Sequence, residues 1–265
     1  MEKDLVSVIM PTFNASKFLA DSIESILVQT YTNLELLITD DCSTDGTRDI
    51  LMHYAEKDPR VKVEFLKENC GPGITRNKSI ERAQGRYIAF CDCDDRWFPE
   101  KLEKQIRHMT KNDCVLCSSS YLVCDENGKV TGISISPESL TLRDMKRDNK
   151  IGCLTAIYDI QRLGHKFFMP AIRKRQDWAL FLNIIKECQV CYCLTEPLAY
   201  YRQRKNSVSS KKLSLIKYNV NVYETVFGYS WLKANLYFFF CFLPTYYLKV
   251  LMRNSDSKKY MDSVS

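Results

Sequence analysis

Histidine is scarce in this chain. Only His53, His108 and His165 occur in 265 residues, and they lie far apart. A histidine-rich zinc hydrolase centre is therefore not expected, and any bound metal should rest on oxygen ligands. Two glycine motifs are also missing. No G-x-G-x-x-G follows the first apolar run, which argues against a dinucleotide site, and no G-x-x-x-x-G-K-[ST] occurs, which removes the P-loop class. No apolar run reaches the roughly 20 residues that a membrane-spanning helix needs. There is no internal repeat. The opening Met1-Glu2-Lys3-Asp4 leads into a short apolar strand and does not read as a signal peptide.

What is present is an ordinary globular composition. The chain is 45% hydrophobic and 26% charged, enough for a sizeable core and unlike a disordered polymer. The length fits one large domain, or one domain with an appendage. Of 38 basic and 32 acidic residues, 11 basic and 3 acidic lie after Tyr201. The positive excess is thus confined to the last quarter. Such a tail suits a nucleic acid or an anionic membrane surface. Twelve cysteines are spread over the chain, mostly within apolar runs, where a reduced thiol is a small hydrophobe. Cys114 with Cys117, and Cys188 with Cys191 and Cys193, have ligand-like spacing. They lack histidine partners and sit in strand-like segments, so reduced thiols are expected rather than zinc.

Apolar runs alternate with helical periodicity. Residues 5–10 read as a strand stopped by Pro11, and a helix follows over 18–27 with Ser16 as its cap. Further strands are expected at 34–39, 61–66 and 86–91, with helices at 47–54 and 74–83 between them. This alternation at short spacing is an α/β pattern with parallel strands. Beyond it come a helix over 99–109, a strand over 115–124 and a hairpin turn at Asp125-Glu126-Asn127-Gly128. Residues 134–150 read as a mobile connection over a short helix, and 151–158 as a strand. A helix at 175–187 and a strand at 190–201 close the pattern. Residues 211–235 look helical. Seven aromatics then fall between Tyr237 and Tyr247, with Pro244 dividing the run. That segment is either core or dimer packing, or a monotopic surface that touches lipid, with Lys249, Arg253, Lys258 and Lys259 beside it.

In an open parallel sheet, ligands bind beyond the carboxyl ends of the strands. Three polar clusters fall there: Pro11-Thr12-Phe13-Asn14, Asp40-Asp41, and Asp92-Cys93-Asp94-Asp95. Three aspartates in four positions raise one another's pKa, which a divalent cation bridging to a diphosphate would relieve. Asp177 opens a helix after the basic stretch Arg173-Lys174-Arg175. Arg202, Arg204 and Lys205 form a second basic loop able to fold over a diphosphate.

Four blocks in order carry a resemblance. They are VSVIMPTFNASKFLADSIESILVQTYTNLELLITDDCSTDGT, RNKSIERAQGRYIAFCDCDD, QDWALFLNII and YRQRKNSVS. Together they resemble the family-2 inverting nucleotide-sugar glycosyltransferases of bacterial O-antigen, capsule and lipooligosaccharide assembly. The resemblance implies an α/β GT-A fold: a Rossmann-like, mostly parallel central sheet flanked by helices, here with a helical C-terminal extension. It implies a catalytic domain over 1–210 and a basic, aromatic extension over 211–265.

It also implies roles. Pro11, Thr12 and Asn14 lie against the nucleoside; Asp41, with Asp40 beside it, reads uracil. Arg76 reaches the nucleotide side of the donor. Asp92 and Asp94 are the metal-binding acids, for Mn²⁺ or Mg²⁺. Cys93 and Asp95 line the donor pocket, and Arg202 and Arg204 face the diphosphate. Asp177 is the base that deprotonates the acceptor hydroxyl. Trp178 either stacks on an acceptor sugar or packs. Two departures stand out: Gln176 replaces the usual glutamate, and Arg204 takes the place of a closing-loop histidine. The donor implied is a UDP-hexose, glucose or galactose, with N-acetylhexosamine, GDP- or dTDP-sugars as alternatives. The acceptor implied is a lipid-diphosphate-linked saccharide at the cytoplasmic face of the inner membrane, touched peripherally, with homodimerisation through the extension a further expectation. No nucleic acid partner is expected. The reading of another class is a non-catalytic sugar-nucleotide or membrane-binding module.

Overall fold

The structure, a computed structural model, describes residues 2–204 and 215–264. The expected alternation is present. β1 (Glu2–Thr12), α1 (Leu19–Leu27), β2 (Leu34–Asp40), α2 (Thr47–Lys57), β3 (Val61–Phe65), α3 (Pro72–Arg82) and β4 (Gly85–Phe90) follow one another. β5 (Arg96–Trp97), α4 (Lys101–Lys111), β6 (Leu116–Cys124) and β7 (Val130–Ser134) come next. Then come β8 (Ser139–Thr141), α5 (Leu142–Arg147), β9 (Ile157–Asp159), α6 (Ile160–Leu163), α7 (Gln176–Cys188) and β10 (Val190–Arg202). The sheet order is β3-β2-β1-β4-β9-β6-β10-β5, with β7 on β6 and β8 on β10.

β1 pairs in parallel with both β2 and β4. Thr12 lies opposite Asp40, and Ile9 opposite Phe90, so three strands end at one sheet edge. β2 is buried along its whole length, as a central parallel strand should be. The apolar residues divide between two faces. Leu19, Ile23, Ile26, Leu51 and Leu102 cover one; Ile80, Trp178, Phe181 and Ile185 cover the other. The strand order reverses between β1 and β4, the switch point where such sheets open a crevice.

Several local expectations are corrected. Ser16 does not cap α1; Phe18 holds that position without a side-chain bond, and the Ser16 N–H donates to Asp45 at 3.1 Å. Residues 134–150 contain the expected short helix, α5, and in addition the strand β8. Thr141 and Asp144 form a reciprocal capping box that starts α5. Residues 151–158 are not one strand. A 3₁₀ turn over Cys153–Thr155 precedes β9, and Thr155 Oγ1 closes it on the Gly152 carbonyl at 2.7 Å.

The cysteines are all free thiols. Cys114 and Cys117 belong to one sheet face, Cys191 and Cys193 to the other. Among the described residues, no three carboxylate, thiol or imidazole groups converge as a metal-ligating set.

The C-terminal segment comprises α8 (Leu215–Phe227), α9 (Trp231–Tyr237), a π turn over Phe238–Phe242 and α10 (Leu243–Val264). It shares the core of the α7 face: Trp178 meets Tyr223 at 5.6 Å and Phe242 at 5.3 Å between ring centroids. Pro244 does not divide the helix. It sits in the first turn of α10, just after the π turn, where the loss of an N–H is absorbed. The opposite face is left bare: Leu232, Leu236, Phe240, Leu243, Tyr247 and Leu251 recur every three or four residues and are exposed. Among the described residues no single helix is long and apolar enough to cross a membrane; α8 and the α9–α10 helix meet at a bend of 118°.

Candidate active site

The first wall of the crevice joins the loops after β1 and β2. Asn14 adopts a left-handed backbone with φ 47°. Its Oδ1 accepts from the Thr44 N–H at 2.9 Å, and its own N–H donates to Ser43 Oγ at 2.9 Å. Thr12 is buried, its hydroxyl 3.3 Å from the Thr39 carbonyl, and Pro11 is buried beside it. Phe13 is left exposed between them.

The two aspartates after β2 part company. Asp40 points inward and is consumed by local bonds: the Ser43 N–H at 3.0 Å, the Ser43 hydroxyl at 2.5 Å and Arg48 Nε at 3.1 Å. It organises its own loop, and Asp41, buried as well, ties that loop to the next. Asp41 accepts from the Cys70 N–H at 2.7 Å and the Gly71 N–H at 2.8 Å, which sets the 69–71 loop as the neighbouring wall.

The Asp92–Asp95 turn leaves β4 at the switch point. Asp92 is bonded by Arg76 of α3 at 2.5 Å, a buried guanidinium. Burial alone would lower the Arg76 pKa. The Asp92 carboxylate, with Cys153 and Asp177 adding to it, offsets this and raises it. Asp94 pairs with Arg204 Nε at 2.7 Å. Burial and the Asp92 charge push the Asp94 pKa up, partly offset by Arg204. Asp95 is buried, accepts the Arg202 backbone N–H at 3.0 Å and is pushed well above the usual carboxylate range by burial, Asp94 and Asp92. Cys93 lies against the Phe13 backbone, and burial holds it as a thiol.

Burial leaves Asp94 and Asp95 with raised pKa values despite the arginines beside them, and their hard oxygen donors suit Mg²⁺ or Mn²⁺. Two carboxylates under-fill such an ion's coordination shell. A fit therefore requires diphosphate oxygens and water to complete the set.

Arg202 and Arg204 are separated by the fold. Arg202 Nε donates to the Asp94 carbonyl at 2.9 Å, and its Nη1 to the Glu126 carbonyl at 3.0 Å. Its guanidinium also covers the Phe18 ring at 4.6 Å. It clamps three elements together. Arg204 instead reaches the Asp94 carboxylate. Lys205 and the rest of the closing loop to residue 214 lie outside the described residues.

Asp177 is half-buried in the first turn of α7. The preceding Arg175 is held in the left-handed region and anchored to Asn219 of α8 at 2.8 Å. Gln176 donates to the Ile172 carbonyl at 2.6 Å, a bond that a glutamate carboxylate could not donate. Its amide also packs on Gly73, where a Cβ would come within 2.4 Å of Nε2. This contact docks the start of α7 on the start of α3 and brings Asp177 towards Arg76. Trp178 is fully buried, and its indole N–H donates to the Met145 carbonyl at 2.7 Å. It packs and does not stack on an acceptor sugar.

Two contributors escaped the sequence reading. Cys153, in the 3₁₀ turn, has its thiol pKa raised by burial and feels the charges of Arg76, Asp92, Asp177 and Asp95. Asn149 donates from Nδ2 to Asp177 Oδ2 at 3.2 Å. Neither lies in a strand-end motif. The capping box at Thr141 is the one local signal that the segment holding Asn149 is ordered.

Comparison with known proteins identifies the family. A Bacillus subtilis protein, the putative teichuronic acid biosynthesis glycosyltransferase TuaG, is 43% identical over 88% of this chain and 92% of its own length. An Escherichia coli protein named UDP-Glc:alpha-D-GlcNAc-diphosphoundecaprenol beta-1,3-glucosyltransferase WfgD is 35% identical over 82% and 84%. In fold, the chain resembles S. aureus TarS 1–349 in complex with UDP-GlcNAc, with a TM-score of 0.70 at 23% identity, covering 83% of this chain and 65% of that one. The Glycosyl transferase family 2 model matches residues 7–162. With over half of its length matched and these relatives alongside, the chain belongs to glycosyl transferase family 2 and is a glycosyltransferase.

Proposed function

We propose that the enzyme transfers a hexose, glucose or galactose, from a UDP-sugar to a hydroxyl of a lipid-diphosphate-linked saccharide. The bond formed is β-glycosidic, and the product belongs to bacterial surface polysaccharide. The observation that carries this reading is the meeting of Arg76–Asp92, Arg204–Asp94 and Asp177 around one crevice at the β1/β4 switch point. The named substrates of the E. coli relative, and the pathway named for the B. subtilis one, supply the donor and acceptor classes.

In this reading Pro11, Thr12, Asn14 and Asp41 cradle the nucleoside. Asp92 and Asp94 would hold Mn²⁺ or Mg²⁺ together with diphosphate oxygens; a bound divalent ion supplies charge neutralisation of the leaving UDP. Arg204 adds a fixed positive charge on the same side. Asp177 takes the proton from the acceptor hydroxyl, which attacks the anomeric carbon opposite the UDP. A single displacement inverts the configuration, so an α-linked donor gives a β-glycoside. The bare apolar stripe on α9 and α10, with nearby cations, supports peripheral contact with the membrane that holds the acceptor.

The test is a transfer assay with UDP-glucose and a GlcNAc-diphosphate-lipid acceptor, with and without a chelator. Asp94→Ala, Asp177→Asn and the chelator should each cost at least about 1000-fold. Full activity in both variants overturns the mechanism, and an α-linked product overturns inversion.

A further inference from the structure

α10 lies along the hairpin of β6 and β7. Ser257 locks it there, accepting the Ile133 N–H at 3.1 Å and donating to the Ile133 carbonyl at 3.2 Å. Gly132 permits the approach, since a Cβ there would come within 2.4 Å of Ser257 Oγ. The two elements enclose an open groove of about 420 Å³, lined by Gln203, Arg253, Asn254, Ser257 and Lys258 among others. Its polar lining and two cations suit an anion rather than an apolar ligand.

Two lining residues connect along the chain to groups of the candidate site. Gln203 precedes Arg204, which is paired with Asp94. Arg253 lies one helical turn after Lys249, which is bonded to Asp148 and to the Asn149 carbonyl, each at 2.6 Å. Asn149 in turn touches Asp177. Neither Arg253 nor Lys258 is ion-paired with a carboxylate among the described residues. Lys249 feels burial first and the attraction of Asp148 next, but Arg175 and Arg253 repel it. Three cations therefore gather near the base around one paired carboxylate. Along the same helix, Leu243, Tyr247, Leu248, Leu251 and Met252 are exposed just before these charges. An apolar track that ends in paired cations matches an amphiphile with an anionic head.

We propose that this groove is the acceptor diphosphate site, with Arg253 and Lys258 as its cations and the exposed track of α10 along the lipid. The proposal rests on the lipid-diphosphate acceptor reading above. It places the first sugar of the acceptor between the groove and Asp177, so the length of the diphosphate link sets which hydroxyl reaches the base.

The experiment compares two acceptors on the full chain: a GlcNAc diphosphate on a short alkyl chain, and an uncharged octyl GlcNAc glycoside. The preference, taken as a ratio of kcat/KM values, should fall on the order of 100-fold in Arg253→Gln/Lys258→Gln. Arg253→Lys/Lys258→Arg should retain most of it. The single Gln variants give the same reading in smaller steps if the double variant does not fold. An unchanged ratio in the Gln variants overturns the site, as does a wild-type enzyme with no preference for the diphosphate. A wild-type enzyme that uses neither acceptor overturns the acceptor reading and the site with it. Sedimentation with phosphatidylcholine vesicles, with and without phosphatidylglycerol, separates the other source of phosphate. Lost binding to the anionic vesicles alongside an unchanged ratio assigns the cations to headgroups and overturns the proposal.

Discussion

Asn149 donates a hydrogen bond to Asp177, and its carbonyl accepts one from Lys249 of α10. The group read as the base is therefore oriented by a residue 28 positions earlier, which is itself fixed by a helix 100 positions later. Lys249 is further tied to the buried Asp148. The C-terminal extension thus reaches Asp177 through Asn149.

Asn149→Ala should lower kcat roughly tenfold, by loosening Asp177, with less change in donor KM. Asn149→Asp places a like charge beside Asp177 and raises its pKa. A base works only when deprotonated, so the acidic limb of the kcat–pH profile should move to higher pH. A pH profile that does not move would mean that Asn149 supports only the fold.

The two arginines of the closing strand should respond differently. Arg202→Ala leaves the Asp94 and Glu126 carbonyls without their donor, and should destabilise by about 2–4 kcal/mol. Thermal unfolding reads this as a drop of several degrees. Arg204→Ala should leave Tm nearly unchanged and lower donor kcat/KM by roughly 100-fold, with partial recovery in Arg204→Lys.

Trp178→Phe keeps most of the buried ring and loses the bond to Met145, at about 1–3 kcal/mol. Trp178→Ala also opens a cavity against Tyr223 and Phe242, at about 3–5 kcal/mol. Denaturant titration should show both losses. Acceptor KM of the Phe variant should match wild type, because the ring does not reach the crevice.

Lys101 is buried, bonds Gln105 at 2.7 Å and sits over the Trp97 ring at 3.8 Å. Burial lowers its pKa to about 7 from 10.5. Between those values the unfolded chain binds the proton and the folded one does not, so stability should rise with pH across this window. Below about pH 7 both states are charged, and the folded one carries the desolvation penalty. Lys101→Met should remove this slope in denaturation curves from pH 7 to 10.5 and stabilise the protein most at the acidic end.

Much of the site was legible because parallel strands end together. Asp41 and the Asp92–Asp95 turn follow apolar runs, and the switch-point rule gathers them without any side-chain detail. The same rule could not tell Asp40 from Asp41. Both are buried, and their different partners depend on Ser43 and Arg48 for one and on the loop that brings Cys70 and Gly71 for the other. Arg202 and Arg204 looked equivalent for the same reason. Strand alternation puts both on one side, but Phe18, Asp21 and the β6–β7 turn claim the first. Residues 134–150 read as a connection over a short helix, and the strand β8 escaped because its three residues are too few to establish an alternating pattern.

By itself the sequence determined the α/β alternation, the strand-end acids and the family, since these rest on local periodicity and contiguous motifs. The same holds for the basic, aromatic tail as a composition. Only the tertiary structure decided what that tail does in the fold: its inner face completes the core around Trp178, its Lys249 secures the loop that orients Asp177, and its outer face remains bare. The reason is range. A helix's two faces are written in its own residues, but which face is covered depends on partners a hundred positions away, and no local pattern records them.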